Sequence, residues 1–81
     1  MNKVLIVLVS STSAFSLKTL LEKRYKIQSR ILQTPADLAF LGCSHCIEVD
    51  YAELKTAVNL LKVSGITVKG VFDAVSHKKI L

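Results

Sequence analysis

The apolar positions of this chain follow two different rhythms. Val4-Leu5-Ile6-Val7-Leu8-Val9 is an unbroken run rich in branched side chains, the pattern of a strand covered on both faces. Ser10, Ser11, Thr12 and Ser13 interrupt it with consecutive hydroxyls, each a candidate helix N-cap. Beyond them Ala14, Leu17 and Leu21 recur at helical spacing, widened by Phe15 and Leu20, which predicts a first helix ending near Tyr25. Ile27 to Leu32 returns to alternation, with Gln28 and Arg30 facing away from Ile27 and Ile31, as a strand that Pro35 stops.

Residues 35–45 then form a long loop with a short apolar piece, Leu38 to Leu41; ordered loops of this length tend to be functional. Cys46 to Asp50 alternates as a third strand. Asp50 and Glu53 stand three apart, as the two halves of a capping box do. They precede a second helix whose buried stripe is Leu54, Ala57, Val58 and Leu61, and which Ser64-Gly65 ends. Ile66 to Phe72 reads as the fourth strand and Val75 to Leu81 as a short basic tail.

The order β-α-β-β-α-β is the split βαβ or ferredoxin-like pattern, an α+β fold with two helices on one face of a four-stranded antiparallel sheet. It forms one domain over residues 1–81, with a core of about 3–73 and a tail of 74–81. The first and third strands are then central. The first strand is apolar on both sides while helices cover only one, so the other face is expected to need a cover. A homodimer is the simplest candidate.

Composition changes this picture little. With 51% hydrophobic and 21% charged residues the chain is not a disordered one, and two cysteines do not make a disulfide scaffold. The net charge is +5, and Lys18, Lys23, Arg24, Lys26 and Arg30 against Glu22 place +4 of it within residues 18–30. Such a patch steers acidic partners or anions, or is simply a solvated helix face and a charge-guarded edge strand, the reading favoured here. The apolar run of six at the N-terminus falls short of a secretory core of about 7–15 residues and of a membrane span of about 20. A cytoplasmic protein with no membrane segment is expected, with reduced thiols.

Cys43-Ser44-His45-Cys46 carries the candidate chemistry. In the ferredoxin-like topology the first two strands finish at the same end of the sheet. The loop bearing Gly42 and Cys43 is therefore expected beside the loop bearing Ser11, Thr12 and Ser13. A helix N-terminus there would stabilise a thiolate, lowering its pKa and raising its nucleophilicity. Three readings stay open. As a zinc site the stretch is incomplete, offering Cys43, Cys46, His45 and only the distant His77. As a thioredoxin-like pair it lacks the usual setting, since it leads into a strand rather than a helix. As a nucleophilic or carrier thiol, Cys43 would act, with Cys46 as a resolving partner. Cys46 read alone is equally a small buried strand residue, and His45, alternating with Ile47 and Val49, marks at least the rim of the core. No resident metal or cofactor is expected.

The chain resembles the small bacterial selenium/sulfur (Se/S) carrier-like family over roughly residues 3 to 73. The resemblance rests on the opening strand running into Ser10-Ser11-Thr12, on Pro35 after the second strand and on the pair Gly42-Cys43. It continues through an apolar third strand, a helix ending near Gly65-Ile66 and the terminal Gly70-Val71-Phe72. Ser44 stands where glycine often follows the cysteine, Ala36 where a basic residue often follows the proline, and the loop from Pro35 to Cys43 is one residue longer. The resemblance implies that Cys43 holds sulfur or selenium as a persulfide or selenide-type adduct. It implies a carrier or sulfurtransferase-like protein rather than a turnover enzyme, with a donor enzyme and an acceptor protein as partners. The competing reading is a non-catalytic dimeric module binding a small anion or a partner protein. RNA binding is not expected, because Val4–Val9 and Cys46–Asp50 carry no aromatic on which bases stack. A copper chaperone would carry its cysteines in the first loop, where this chain has Ser10 to Ser13.

Overall fold

The computed structural model describes residues 2–41 and 45–80, with the backbone alone at 39–41. In chain order these form β1 (Lys3–Leu8), α1 (Ser11–Tyr25), β2 (Arg30–Gln33), a 3-10 segment (Ala36–Leu41) and β3 (His45–Asp50). A 3-10 turn (Tyr51–Glu53), α2 (Leu54–Ser64) and β4 (Val68–Asp73) follow. One sheet has the order β2-β3-β1-β4 with every neighbouring pair antiparallel. This is the expected ferredoxin-like α+β fold.

Both helices end where a left-handed residue reverses the chain. Gly65 takes φ 72° after α2, with its N–H bonded to the carbonyl of Leu61. Lys26 takes φ 54° after α1 and donates to the carbonyl of Glu22, and Ile27 N–H reaches back to Leu21 O at 3.1 Å. That closing turn uses residues the alternation had assigned to a strand, so β2 begins at Arg30 rather than Ile27. The expected capping box is likewise absent. Asp50 makes no side-chain cap bond; its carboxylate instead meets Lys3 Nζ at 2.8 Å across the β1–β3 pair. The bond and charge of Asp50 hold the Lys3 amine above its ordinary pKa.

The sheet is buried on both sides. On the helix side Val4, Ile6 and Leu8 of β1 meet Ile47 and Val49 of β3, Val71 of β4 and the stripes of the two helices, including Leu17, Leu21, Leu60 and Leu61. On the other side Leu5, Val7, Cys46 and Phe72 form a second cluster with Leu38. The expected bare second face is therefore closed in part by the chain itself, through Leu38 of the connection after β2.

Gly70 is needed for that second layer. A Cβ at Gly70 would sit 2.7 Å from Phe72 Cε1, because the ring folds back along its own strand into the space opposite Val7. The tail is also ordered. Asp73 Oδ1 accepts from the N–H groups of Val75 and Ser76 at 2.8 and 2.9 Å. The chain then returns along the outer edge of β4, with Ile80 N–H donating to Val71 O at 2.7 Å and Asp73 N–H to Lys78 O at 2.9 Å.

Candidate functional site

Strand pairing places His45 and the Ser10–Ser13 turn at one end of the sheet. Val7 of β1 is opposite Cys46 of β3, so one step further along that register stand Leu8 and His45. Ser10, two residues beyond Leu8, caps α1: its Oγ accepts from Ser13 N–H at 3.2 Å, and the two hydroxyls lie 3.2 Å apart. On the other side of β3, His45 is opposite Gln33, the last residue of β2. α2 ends at Gly65 and β4 begins at the same end, with Val68 opposite Leu8.

The predicted site residues divide accordingly. Ser10 and Ser13 do the capping, Ser11 is half-buried and Thr12 exposed in the first turn of α1. A first helical turn leaves backbone N–H groups without intrahelical acceptors, and a helix of this length concentrates a partial positive charge there. His45 is half-buried and shares the helix-facing side of β3 with Ile47 and Val49, as strand alternation requires. Cys46 faces the opposite way. It is fully buried in the second cluster, flanked across the sheet by Val7 and Leu32 and packed with Leu5, Leu38 and Phe72. Gly42, Cys43 and Ser44 lie outside the described residues.

This arrangement bears on the three readings of the Cys-Ser-His-Cys stretch. It does lead into a strand, not a helix. Successive side chains of a strand point to opposite faces, so His45 and Cys46 are directed apart and are badly placed to share one metal ion. His77, the remaining candidate ligand, has its Nδ1 against the carboxylate of Asp37, at 2.7 and 2.9 Å from the two oxygens. Among the described residues no three His, Cys, Asp or Glu side chains gather as a metal site would require.

The basic patch lies at the other end of the sheet. Lys3, Lys26, Arg30, Glu22 and Glu48 line a cleft of about 520 Å³ there, beneath the end of α1. Glu22 is paired with Lys18, Arg30 lies 3.8 Å from Glu48, and Lys3 is tied to Asp50. Of the five cations of residues 18–30, Lys18 and Arg30 are answered within the chain, and Lys23, Arg24 and Lys26 have no ion-pair partner among the described residues. Sequence reasoning missed the contacts of Asp37 with His77 and of Leu38 with the second sheet face; the one signal was the apolar piece Leu38 to Leu41 within the connection.

Comparison with known proteins adds the deciding observation. A family model described as "Putative Se/S carrier protein-like" matches residues 3–73. The chain belongs to this Se/S carrier-like family. No curated protein and no solved structure matches it. The family match spans every strand and helix, from the first residue of β1 to the last of β4. Gly70 has a packing cause in this chain, since Phe72 occupies the space above it. Among the described residues no helix is long and apolar enough to cross a membrane.

Proposed function

We propose that the protein is a cytoplasmic carrier of sulfane sulfur or selenium, with Cys43 as the accepting thiol. Membership of the Se/S carrier-like family is the observation that carries this reading. Cys43 precedes His45 by two residues in the chain, and β3 opens next to the capped amino end of α1. Positive potential at a helix N-terminus favours the anionic forms on which the chemistry depends. The full burial of Cys46, packed with Leu38 and Phe72, supports giving the accepting role to Cys43 rather than to Cys46.

The transfer balances without an external oxidant. The Cys43 thiolate attacks the outer sulfur of a persulfide on a donor enzyme. A new S–S bond forms on Cys43, the donor's own S–S bond breaks, and the donor cysteine leaves as a thiolate. Delivery repeats the exchange toward an acceptor thiol. A selenium atom follows the same course. Donor and acceptor are proteins, each meeting the carrier transiently.

The test is intact-mass measurement after incubation with a cysteine desulfurase and cysteine. One added sulfur is expected on the wild-type chain and on Cys46→Ala, removable by reductant, and none on Cys43→Ser. Equal loading of Cys43→Ser, or no loading of the wild type, overturns the proposal.

A further inference from the structure

We propose that the N-terminal half of β4's outer edge, Val68–Gly70, is a docking strip for an extended segment of a partner protein in which apolar residues alternate with acidic ones. This goes beyond the carrier reading and does not depend on it.

β4 is an edge strand, and its outer side is used only in part. The tail occupies the C-terminal half: Lys79 forms an isolated antiparallel bridge with Phe72, flanked by the bonds from Ile80 to Val71 and from Asp73 to Lys78. The chain's own tail therefore uses this edge for antiparallel backbone bonds. Among the described residues no backbone hydrogen bond reaches the outward side of Val68–Gly70. Open edges are the surfaces to which extended peptides add.

A groove beside this open stretch supplies pockets for side chains. It has a volume of about 240 Å³, runs between α2 and β4, and is walled by Val58, Leu61, Ile66, Val68 and Val71. The register shift between Val7 and Leu8 leaves Lys69 as the extra residue, so Val68 and Val71 both face the helix side. Val68 is 38% exposed, so an apolar side chain at the groove is open to solvent. A strand laid on the edge sends alternate side chains toward this groove.

The charge of the strip selects the occupant. The two charged residues that line the groove, Lys62 and Lys69, are both cations, and neither has an ion-pair partner among the described residues. Acidic side chains on the incoming segment answer them. A second copy of this chain does not: joining β4 to β4 would bring two such lysine pairs together on chains that each carry +5. Like charges at this edge thus prevent self-pairing while leaving it open to an acidic strand.

The experiment uses the full chain and a panel of acetylated seven-residue peptides alternating valine or isoleucine with glutamate, against the same peptides with lysine for glutamate. Binding is followed by amide NMR and hydrogen exchange. The acidic peptides should shift the amides of Val68–Val71 and slow exchange at Val71, and the lysine peptides should not. Lys62→Glu with Lys69→Glu, both on the surface, should weaken acidic-peptide binding by about tenfold at low salt and reverse the preference. Three results would each overturn the proposal: no response at Val68–Val71 to any acidic peptide, a response unchanged in the double variant, or sedimentation showing the chain alone dimerising through β4.

Discussion

The imidazole of His77 and the carboxylate of Asp37 meet at 2.7 Å, joining the turn after β4 to the segment that covers the second sheet face. The two residues are 40 positions apart. Their contact holds down the connection that leads from β2 into the Gly42-Cys43 region.

The pair is partly exposed, with side chains 26% and 60% accessible, so its coupling should be modest, about 0.5 kcal/mol. A double-mutant cycle of His77→Ala and Asp37→Asn, read by urea unfolding, should return that coupling and lose most of it at high salt. Either single variant should also speed amide exchange in 36–41 more than in β1. Equal change in both segments would mean that the contact does not act on the loop.

Gly70→Ala should destabilise the domain by about 1–3 kcal/mol, because the new methyl would fall 2.7 Å from the Phe72 ring. Phe72→Leu vacates that space at its own cost. The double variant should therefore be more stable than the sum of the two singles predicts. Chemical denaturation of the four proteins measures this directly.

Asp73 provides a pH dependence. The N–H groups of Ser76 and then Val75 hold its carboxyl below the usual carboxylate range. A group whose pKa is lowered on folding contributes stability above its unfolded pKa, and that stability is lost as pH falls through the folded value. Asp73→Asn should therefore be less stable at neutral pH and lose less stability than wild type on acidification below about pH 4. Parallel acid limbs for the two proteins would contradict this.

Lys26 sits at the αL position that ends α1, where glycine carries no Cβ penalty. Lys26→Gly should stabilise the protein by a few tenths to about 1 kcal/mol, provided that relief of backbone strain outweighs the added chain entropy. A thermal melt is sufficient to show the direction. The variant leaves the proposed carrier thiol and the β4 edge untouched, so loading with sulfur should not change.

Most of the architecture could be read from residue pattern because each element states its own period. The continuous apolar run of β1, the Ala14-Leu17-Leu21 stripe and the Gly65 stop each matched what formed. The misreadings occurred where a residue had two possible partners. Asp50 has the spacing of a capping box but is drawn across the sheet to Lys3; Ile27 alternates like a strand residue but closes the helix end by bonding to Leu21. Local sequence does not rank such alternatives, since the winning contact is distant or depends on the turn geometry. Leu38 and Asp37 belong to the same class: their partners, Phe72 and His77, are far along the chain. Around the candidate site, the serine cap was legible from the run of hydroxyls ahead of the first helix, and burial of Cys46 was one of two readings its strand position left open.

The layer formed by Leu38 over Leu5, Val7, Cys46 and Phe72 has a further consequence for traffic through the molecule. With helices on one broad side and Leu38 packed on the other, the buried residues of the sheet are out of reach, and visiting macromolecules meet its rims and margins. Such perches are narrow, and small footprints give short residence times. Brevity of that kind would suit the carrier role proposed above.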